Sequence, residues 1–260
     1  MRRIINRSVL VVPAALLVCA GTAQAVTDCT VGLGNPWTID GGNTCTTADT
    51  TEPSTVQFQG AGTLNLVLNA PPSGAVTTTV DGSGAVVVQA DVISAANYGV
   101  AGSGDLLSVT VDNAATFSLG HNLAAITFTN NGTVNQSAGT LTATTLAIGA
   151  GDTFTQSGTG IINATNTTIG AGGTLTLVNQ GTGAIDGAAA GQGALVLGGN
   201  YNTDSALGGT NSLASITVNG GTTLTLDQNA AATTFTNNGT VNQSAGTLTA
   251  TTLAIGAGDT

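Results

Sequence analysis

The stretch from Thr127 to Thr153 reads TFTNNGTVNQSAGTLTATTLAIGAGDT, and the same string recurs from Thr234 to Thr260. The shift between the copies is 107 (234 − 127), and a weaker match at the same shift begins upstream, at Ser108 and Ser215. Self-similarity at a fixed period is typical of stacked arrays, in which each unit buries its apolar face against its neighbours. The chain stops inside the second copy, so we expect it to be part of a longer protein.

A shorter period lies inside the long one. The string IGAGDTFT begins at Ile148 and IGAGGTLT begins at Ile169, a shift of 21 (169 − 148). This length suits one coil of a β-helix, so the long unit would hold about five coils and add roughly 24 Å of rod at ~4.8 Å between strands. A β-sandwich is the competing all-β architecture, but it does not produce this nested echo. The periods therefore predict a parallel β-helix.

Strand-forming and turn-forming residues dominate the chain. Alternating segments such as SVTV, ATFSL, GTVNQ, DTFTQ and GTLTLV predict short strands with one buried and one solvated face. The predicted turns between them contain glycine or asparagine: Asn131-Gly132, Gly149-Ala150-Gly151, Gly172-Gly173 and Gly220-Gly221. The fold class is therefore all-β.

All basic residues of the chain lie at its start. Arg2, Arg3 and Arg7 precede an apolar run and a small-residue ending, the pattern of a secretory signal peptide over residues 1–25 with cleavage between Ala25 and Val26. The mature chain then carries 13 acidic residues and no Lys or Arg. Binding of nucleic acids rests on Lys and Arg, and so does attraction to anionic lipids, so the composition excludes both.

Cysteine and proline cluster ahead of the repeats. After signal cleavage, Cys29 and Cys45 remain, and an even pair in an exported protein predicts a disulfide. Closing this loop would stabilise the fold by roughly 3 kcal/mol. We interpret residues 26–106 as an N-terminal cap of the array and residues 107–260 as β-helix repeats. A separate small N-terminal domain is the alternative.

The residues that catalysis would need are absent or scattered. No Lys or Arg follows the signal, and the carboxylates show no Asp-Asp or Asp-x-Asp pair of the kind that glycan hydrolysis would use. The single histidine, His121, is replaced by Gln228 in the second copy. The Gly-Asp turns at 102–105 and 149–152 lack the tandem nonapeptides of calcium-binding repeats. We therefore predict no catalytic, cofactor-binding or metal-binding residues.

Thr-x-Thr pairs recur along the chain, as they do in ice-binding solenoids. They begin at Thr127, Thr140, Thr153, Thr174 and Thr223, so the steps between successive starts are unequal. We expect a flat ice-binding ladder to need equal coil spacing. The pairs are therefore interpreted as ordinary solvated strand faces.

The string FTNNGTVNQSAGTLTATTLAIG resembles the β-helical passengers of bacterial autotransporters and filamentous-haemagglutinin-type adhesins. The resemblance covers roughly residues 107–260. It implies a right-handed β-helix that is exported through the periplasm and displayed at the bacterial cell surface or released outside the cell. In an autotransporter, a membrane-embedded translocator barrel would lie outside this sequence.

Taken together, the export signal, the array and the missing catalytic groups predict a non-enzymatic adhesin or passenger rod. Its partner would be a glycan or protein ligand on a host or neighbouring cell. One alternative is a structural surface-layer or biofilm protein that self-assembles. A weaker alternative is a glycan-active β-helix enzyme.

Overall fold

The computed structural model describes residues 37–39, 41–47, 54–67, 71–257 and 259–260. The regular elements in these ranges are all β-strands. The predicted signal peptide (1–25), its cleavage site at Ala25 and Val26, and Cys29 lie outside the described residues and stay predictions. Over the described ranges there is no helix with the length and hydrophobicity that crossing a membrane requires.

The described residues form short strands throughout. In the first half these are β1 (Trp37–Ile39), β2 (Thr44–Thr46), β3 (Val56–Phe58), β4 (Thr63–Leu66), β5 (Val76–Thr78), β6 (Ser83–Val88), β7 (Val92–Ile93), β8 (Leu106–Val111), β9 (Thr116–Leu119), β10 (Leu123–Asn130), β11 (Thr133–Gln136) and β12 (Thr140–Ile148). In the second half they are β13 (Thr153–Gln156), β14 (Ile161–Ile169), β15 (Thr174–Leu177), β16 (Thr182–Gly187), β17 (Gln192–Leu197), β18 (Tyr201–Asn202), β19 (Leu213–Val218), β20 (Thr223–Leu226), β21 (Ala230–Asn237), β22 (Thr240–Gln243) and β23 (Leu248–Ile255).

The strands stack as a parallel β-solenoid of about 11 turns, which confirms the predicted fold class. Sheet 1 contains β1, β3 and β5; sheet 2 contains the even-numbered strands from β2 to β16; sheet 3 contains the odd-numbered strands from β7 to β23; sheet 4 contains β18, β20 and β22. All pairs of named strands are parallel. This pairing excludes the β-sandwich. The handedness of the coil stays a prediction.

Alternation along each strand builds the core. In β15, Leu175 and Leu177 are buried while Thr174 and Thr176 face solvent, and most strands repeat this pattern. Aromatic rings stack between turns as well. The rings of Tyr98 and Phe117 lie 5.9 Å apart and those of Phe128 and Phe154 lie 6.1 Å apart, both edge-to-face, an arrangement that aromatic pairs prefer.

The repeated NNG motif forms a corner. Asn130 is fully buried at the end of β10, and its amide nitrogen donates to the carbonyl of Thr153 at 2.8 Å. The backbone N–H of Gly132 donates back to the Asn130 side-chain oxygen at 3.0 Å. In the second copy, Asn237 makes the same two bonds, to Thr260 and from Gly239. Because these bonds satisfy backbone groups where the chain changes direction, the motif is explained by the fold.

The long repeat does not contain a whole number of turns. Starting from Phe128 in sheet 2, the residues paired on five successive turns are Leu146, Thr167, Ile185, Leu207 and Ala230. The second copy of Phe128 is Phe235, which does not continue this column but stacks above Val134, one face further round. One turn passes through three such columns, at Leu123, Phe128 and Val134, before the chain returns at Leu141, so the long unit spans five turns and about one third. Identical sequence is therefore displayed on two different sides of the rod.

The structural repeat begins earlier than the sequence match. Tyr98 and Leu207, related by a shift of 109 (207 − 98), each form an isolated parallel bridge between turns. Gly84 and Gly193, related by the same shift (193 − 84), have φ angles of +77° and +76°. The sheets run without a break through the predicted boundary at residue 107, because β6 pairs directly with β8. The solenoid thus already includes residues of the region that was predicted to be a cap.

Equal coil spacing is not required for a threonine ladder, so the prediction was wrong on this point. Val92, Phe117 and Val134 stack on successive turns although their sequence separations are 25 (117 − 92) and 17 (134 − 117), because the corners absorb the difference. On sheet 3, four threonines of successive turns align, namely Thr116, Thr133, Thr153 and Thr174. The column ends at Ala194.

Candidate functional surface

Four large aliphatic side chains are exposed at one corner of the solenoid, between sheets 1 and 2. Val80 is 54% exposed, Val100 50%, Leu107 45% and Ile126 38%. We call these four residues the aliphatic ridge. Leu107 and Ile126 lie side by side on neighbouring turns, because the residues that flank them are paired. Val80 precedes β6, Val100 precedes β8 and Ile126 lies in β10, so the ridge spans three successive turns. A Cβ built on Gly82 would lie 2.8 Å from the Cδ1 atom of Ile126, which brings this side chain close to the first of the three turns.

The second repeat forms the equivalent corner, which lies between sheets 2 and 3, without the ridge. At the shift of 109, Val80 and Val100 correspond to Ala189 and Gly209; at the shift of 107, Leu107 and Ile126 correspond to Ala214 and Thr233. The backbone is alike, since Gly82 and Gly191 have φ angles of +70° and +75°. The fold therefore does not require large apolar side chains at these positions. Sequence reasoning missed the ridge, although the Leu107-to-Ala214 and Ile126-to-Thr233 exchanges were visible in the alignment of the two copies.

A small cleft opens beside the ridge. It has a volume of about 240 Å³ and is lined by Asn97, Gly99, Val100, Ala101, Asn122, Leu123, Ala124, Thr140 and Thr142. The Asn97 side-chain oxygen accepts from the Asn122 N–H at 3.1 Å, and the Asn122 side-chain oxygen accepts from the Thr140 N–H at 2.8 Å. Since ligand pockets usually exceed about 300 Å³, this cleft suits one side chain of a partner better than a whole small molecule.

A shallower depression lies on sheet 4. Its volume is about 400 Å³, and it is lined by Gln180, Asn200, Tyr201, Asn202, Thr223 and Thr225. The Tyr201 ring is 4% exposed, and its hydroxyl donates to the Gly181 carbonyl at 3.5 Å. Burial raises the pKa of Tyr201 to about 12, and the nearby charge of Asp204 adds to the rise. The Tyr201 phenol is therefore neutral at physiological pH, and its ring packs beneath the depression.

The raised pKa of Tyr201 predicts a loss of stability at alkaline pH. The folded state holds the phenol proton more tightly than the unfolded state, so this contribution is complete below pH 10 and declines as pH rises toward about 12. Burial also raises the pKa of Tyr98. Urea unfolding followed by circular dichroism should give midpoints that fall over this window. The Tyr201→Phe variant should show a smaller fall, and an equal fall would contradict the assignment.

The carboxylates near the ridge cap turns. Asp81 accepts a hydrogen bond from the Asp105 N–H at 2.8 Å, and Asp105 accepts one from the Gly102 N–H at 3.3 Å. Asp91 plays the same role at the corner between sheets 2 and 3, where it accepts from the Thr116 N–H at 2.9 Å. Asp81 is exposed and Asp105 is half-buried, so these two carboxylates also give the ridge corner a negative charge. No Lys or Arg follows Arg7 to balance it.

Other residues singled out by sequence lie apart from the ridge or take part in packing. His121 is exposed, with its Nδ1 atom 3.0 Å from the Ser94 carbonyl oxygen. Among the described residues, no group of three His, Cys, Asp or Glu side chains is placed to hold a metal ion. Cys45 is 8% exposed in the core. Its pairing with Cys29 stays a prediction.

These features define the chain as a parallel β-solenoid with an exposed aliphatic corner. Comparisons with protein-family models, with curated proteins and with solved structures find no match to it.

Proposed function

We propose that this protein is a non-enzymatic, surface-displayed rod that attaches one cell to a ligand on another surface. The observation that carries the proposal is the rotation of the long repeat. Five turns and a third separate two copies of the same loops, which places them roughly 26 Å apart along the rod at ~4.8 Å per turn. The copies face different sides, so a longer array would present the same surface around its circumference.

Such a display suits attachment better than catalysis. Weak contacts that recur on one rigid body add through effective concentration, without any deep pocket. The stack of about 11 turns measures roughly 53 Å at ~4.8 Å per turn. The two depressions described above, of about 240 and 400 Å³, are shallow and open to solvent. Contacts through loops and solvated strand faces are therefore the mode of binding that we propose.

A bead-adhesion assay tests this function. Beads coated with the purified chain are incubated with bacterial cells and with cultured animal cells, and attached beads are counted. The matched control is the same chain, unfolded in urea before coupling. We expect folded chain to raise attachment at least tenfold over the control. Equal attachment would contradict the proposal, and fibres formed by the protein alone without cell binding would favour a self-assembling structural role.

A further inference from the structure

The aliphatic ridge is maintained in one repeat and absent from the other. Exposed aliphatic residues scattered singly need no explanation, but these four lie at one corner on three successive turns. The second repeat forms the equivalent corner with Ala189, Gly209, Ala214 and Thr233. Folding therefore does not account for the ridge, whereas contiguous apolar surface rimmed by polar groups is typical of an interaction site.

Charge limits what can cover the ridge. Asp81 and Asp105 flank it, and the chain supplies no Lys or Arg beyond Arg7. A second copy of this chain would bring further carboxylates and no Lys or Arg beyond residue 7, so like charges would oppose that contact. A neutral glycan would place hydroxyl groups against aliphatic side chains that cannot hydrogen-bond to them. A polypeptide with both aliphatic and basic residues complements both features.

We propose that the aliphatic ridge, formed by Val80, Val100, Leu107 and Ile126, docks a cationic segment of a partner protein. Aliphatic side chains of the segment cover Leu107 and Ile126, and one side chain enters the cleft beside Val100. Its Lys or Arg side chains face Asp81 and Asp105. This inference rests on the proposed attachment function and assigns the class of ligand.

Peptide binding to the full chain tests the proposal. The probes are three fluorescent peptides of equal length, with alternating leucine and lysine, leucine and glutamate, or serine and lysine. We expect the leucine–lysine peptide to bind at least tenfold more tightly than either of the others, with an affinity that falls as salt rises. Equal affinity of the three peptides would overturn the proposal.

Variants copied from the second repeat locate the site. Leu107→Ala combined with Ile126→Thr should weaken leucine–lysine binding at least tenfold, whereas Ile93→Ala, at another exposed aliphatic residue outside the ridge, should leave it unchanged. The reciprocal pair, Ala214→Leu with Thr233→Ile, should add a second, weaker site. Circular dichroism checks the fold of each variant. A folded ridge variant that binds like wild type would overturn the assignment, and so would an Ile93→Ala variant that loses binding to the same extent.

The bead assay separates this inference from the proposed function. If wild-type beads attach to cells and ridge-variant beads attach equally well, the ridge assignment is wrong and the attachment function stands. If the peptide binds at the ridge but wild-type beads do not attach, the ridge binds cationic polypeptide and the attachment function is wrong.

Discussion

Replacement of Gly84 by alanine is expected to lower the free energy of unfolding by about 2–5 kcal/mol, because a backbone penalty and a packing penalty add. The φ angle of Gly84 is +77°, and a left-handed conformation costs a residue with a side chain about 1–2 kcal/mol. In addition, the new Cβ would lie 2.3 Å from the ring of Phe58, which is fully buried. Forcing extra volume into a packed core costs about 1–3 kcal/mol.

Gly151→Ala is the matched control. Gly151 has a similar φ angle of +81°, but no atom lies within 4 Å of the Cβ that alanine would add. The free energy of unfolding of Gly151→Ala should therefore fall only by the backbone penalty of about 1–2 kcal/mol. Urea unfolding of both variants measures the two losses, and their difference reports the contact with Phe58. Equal losses would show that the corner relaxes around the methyl group.

Asn130→Ala is expected to lower the free energy of unfolding by about 2–4 kcal/mol, because hydrogen bonds are lost and a small cavity forms. The buried Asn130 side chain accepts from the Gly132 N–H and donates to the Thr153 carbonyl. Alanine leaves the buried Gly132 N–H without this acceptor, and each buried unsatisfied group costs about 1–3 kcal/mol. Loss of the amide also leaves a cavity at the corner, which adds to the cost.

The neighbouring substitution Asn131→Ala provides the control. Asn131 has the same side chain but is half-exposed at the turn, so the change should stay within about 0.5 kcal/mol. Thermal and urea unfolding by circular dichroism compares the two variants directly. If both variants lost the same free energy of unfolding, the buried hydrogen bonds of Asn130 would not explain why the motif is repeated.

The turns were predictable from the sequence. Asn131-Gly132 lies between β10 and β11, and Gly172-Gly173 lies between β14 and β15, as predicted. Local residue preferences decide these positions, because glycine and asparagine suit turns wherever the chain folds. The Thr-x-Thr pairs could not be placed in the same way. Thr127 lies in sheet 2, Thr153 in sheet 3 and Thr223 in sheet 4, because the length of each corner decides which strand lies above which.

The candidate surface depended on the same long-range information. The replacement of Leu107 by Ala214 is visible in sequence, yet nothing in the sequence places Leu107 beside Ile126 or on the same corner as Val80. Their proximity follows from pairing between residues about one turn apart. Because the loops between strands differ in length, the sequence alone does not show which residues pair.

The sequence by itself determined the all-β class, the parallel stacking and the approximate length of one coil, because apolar alternation and turn residues act locally and recur in every turn. Only the tertiary structure decided that the long repeat makes five turns and a third, so that Phe128 and Phe235 face different sides. The physical reason is that backbone pairing sets register turn by turn, while each corner takes up whatever residues remain. The repeat in sequence and the repeat in space therefore have different periods.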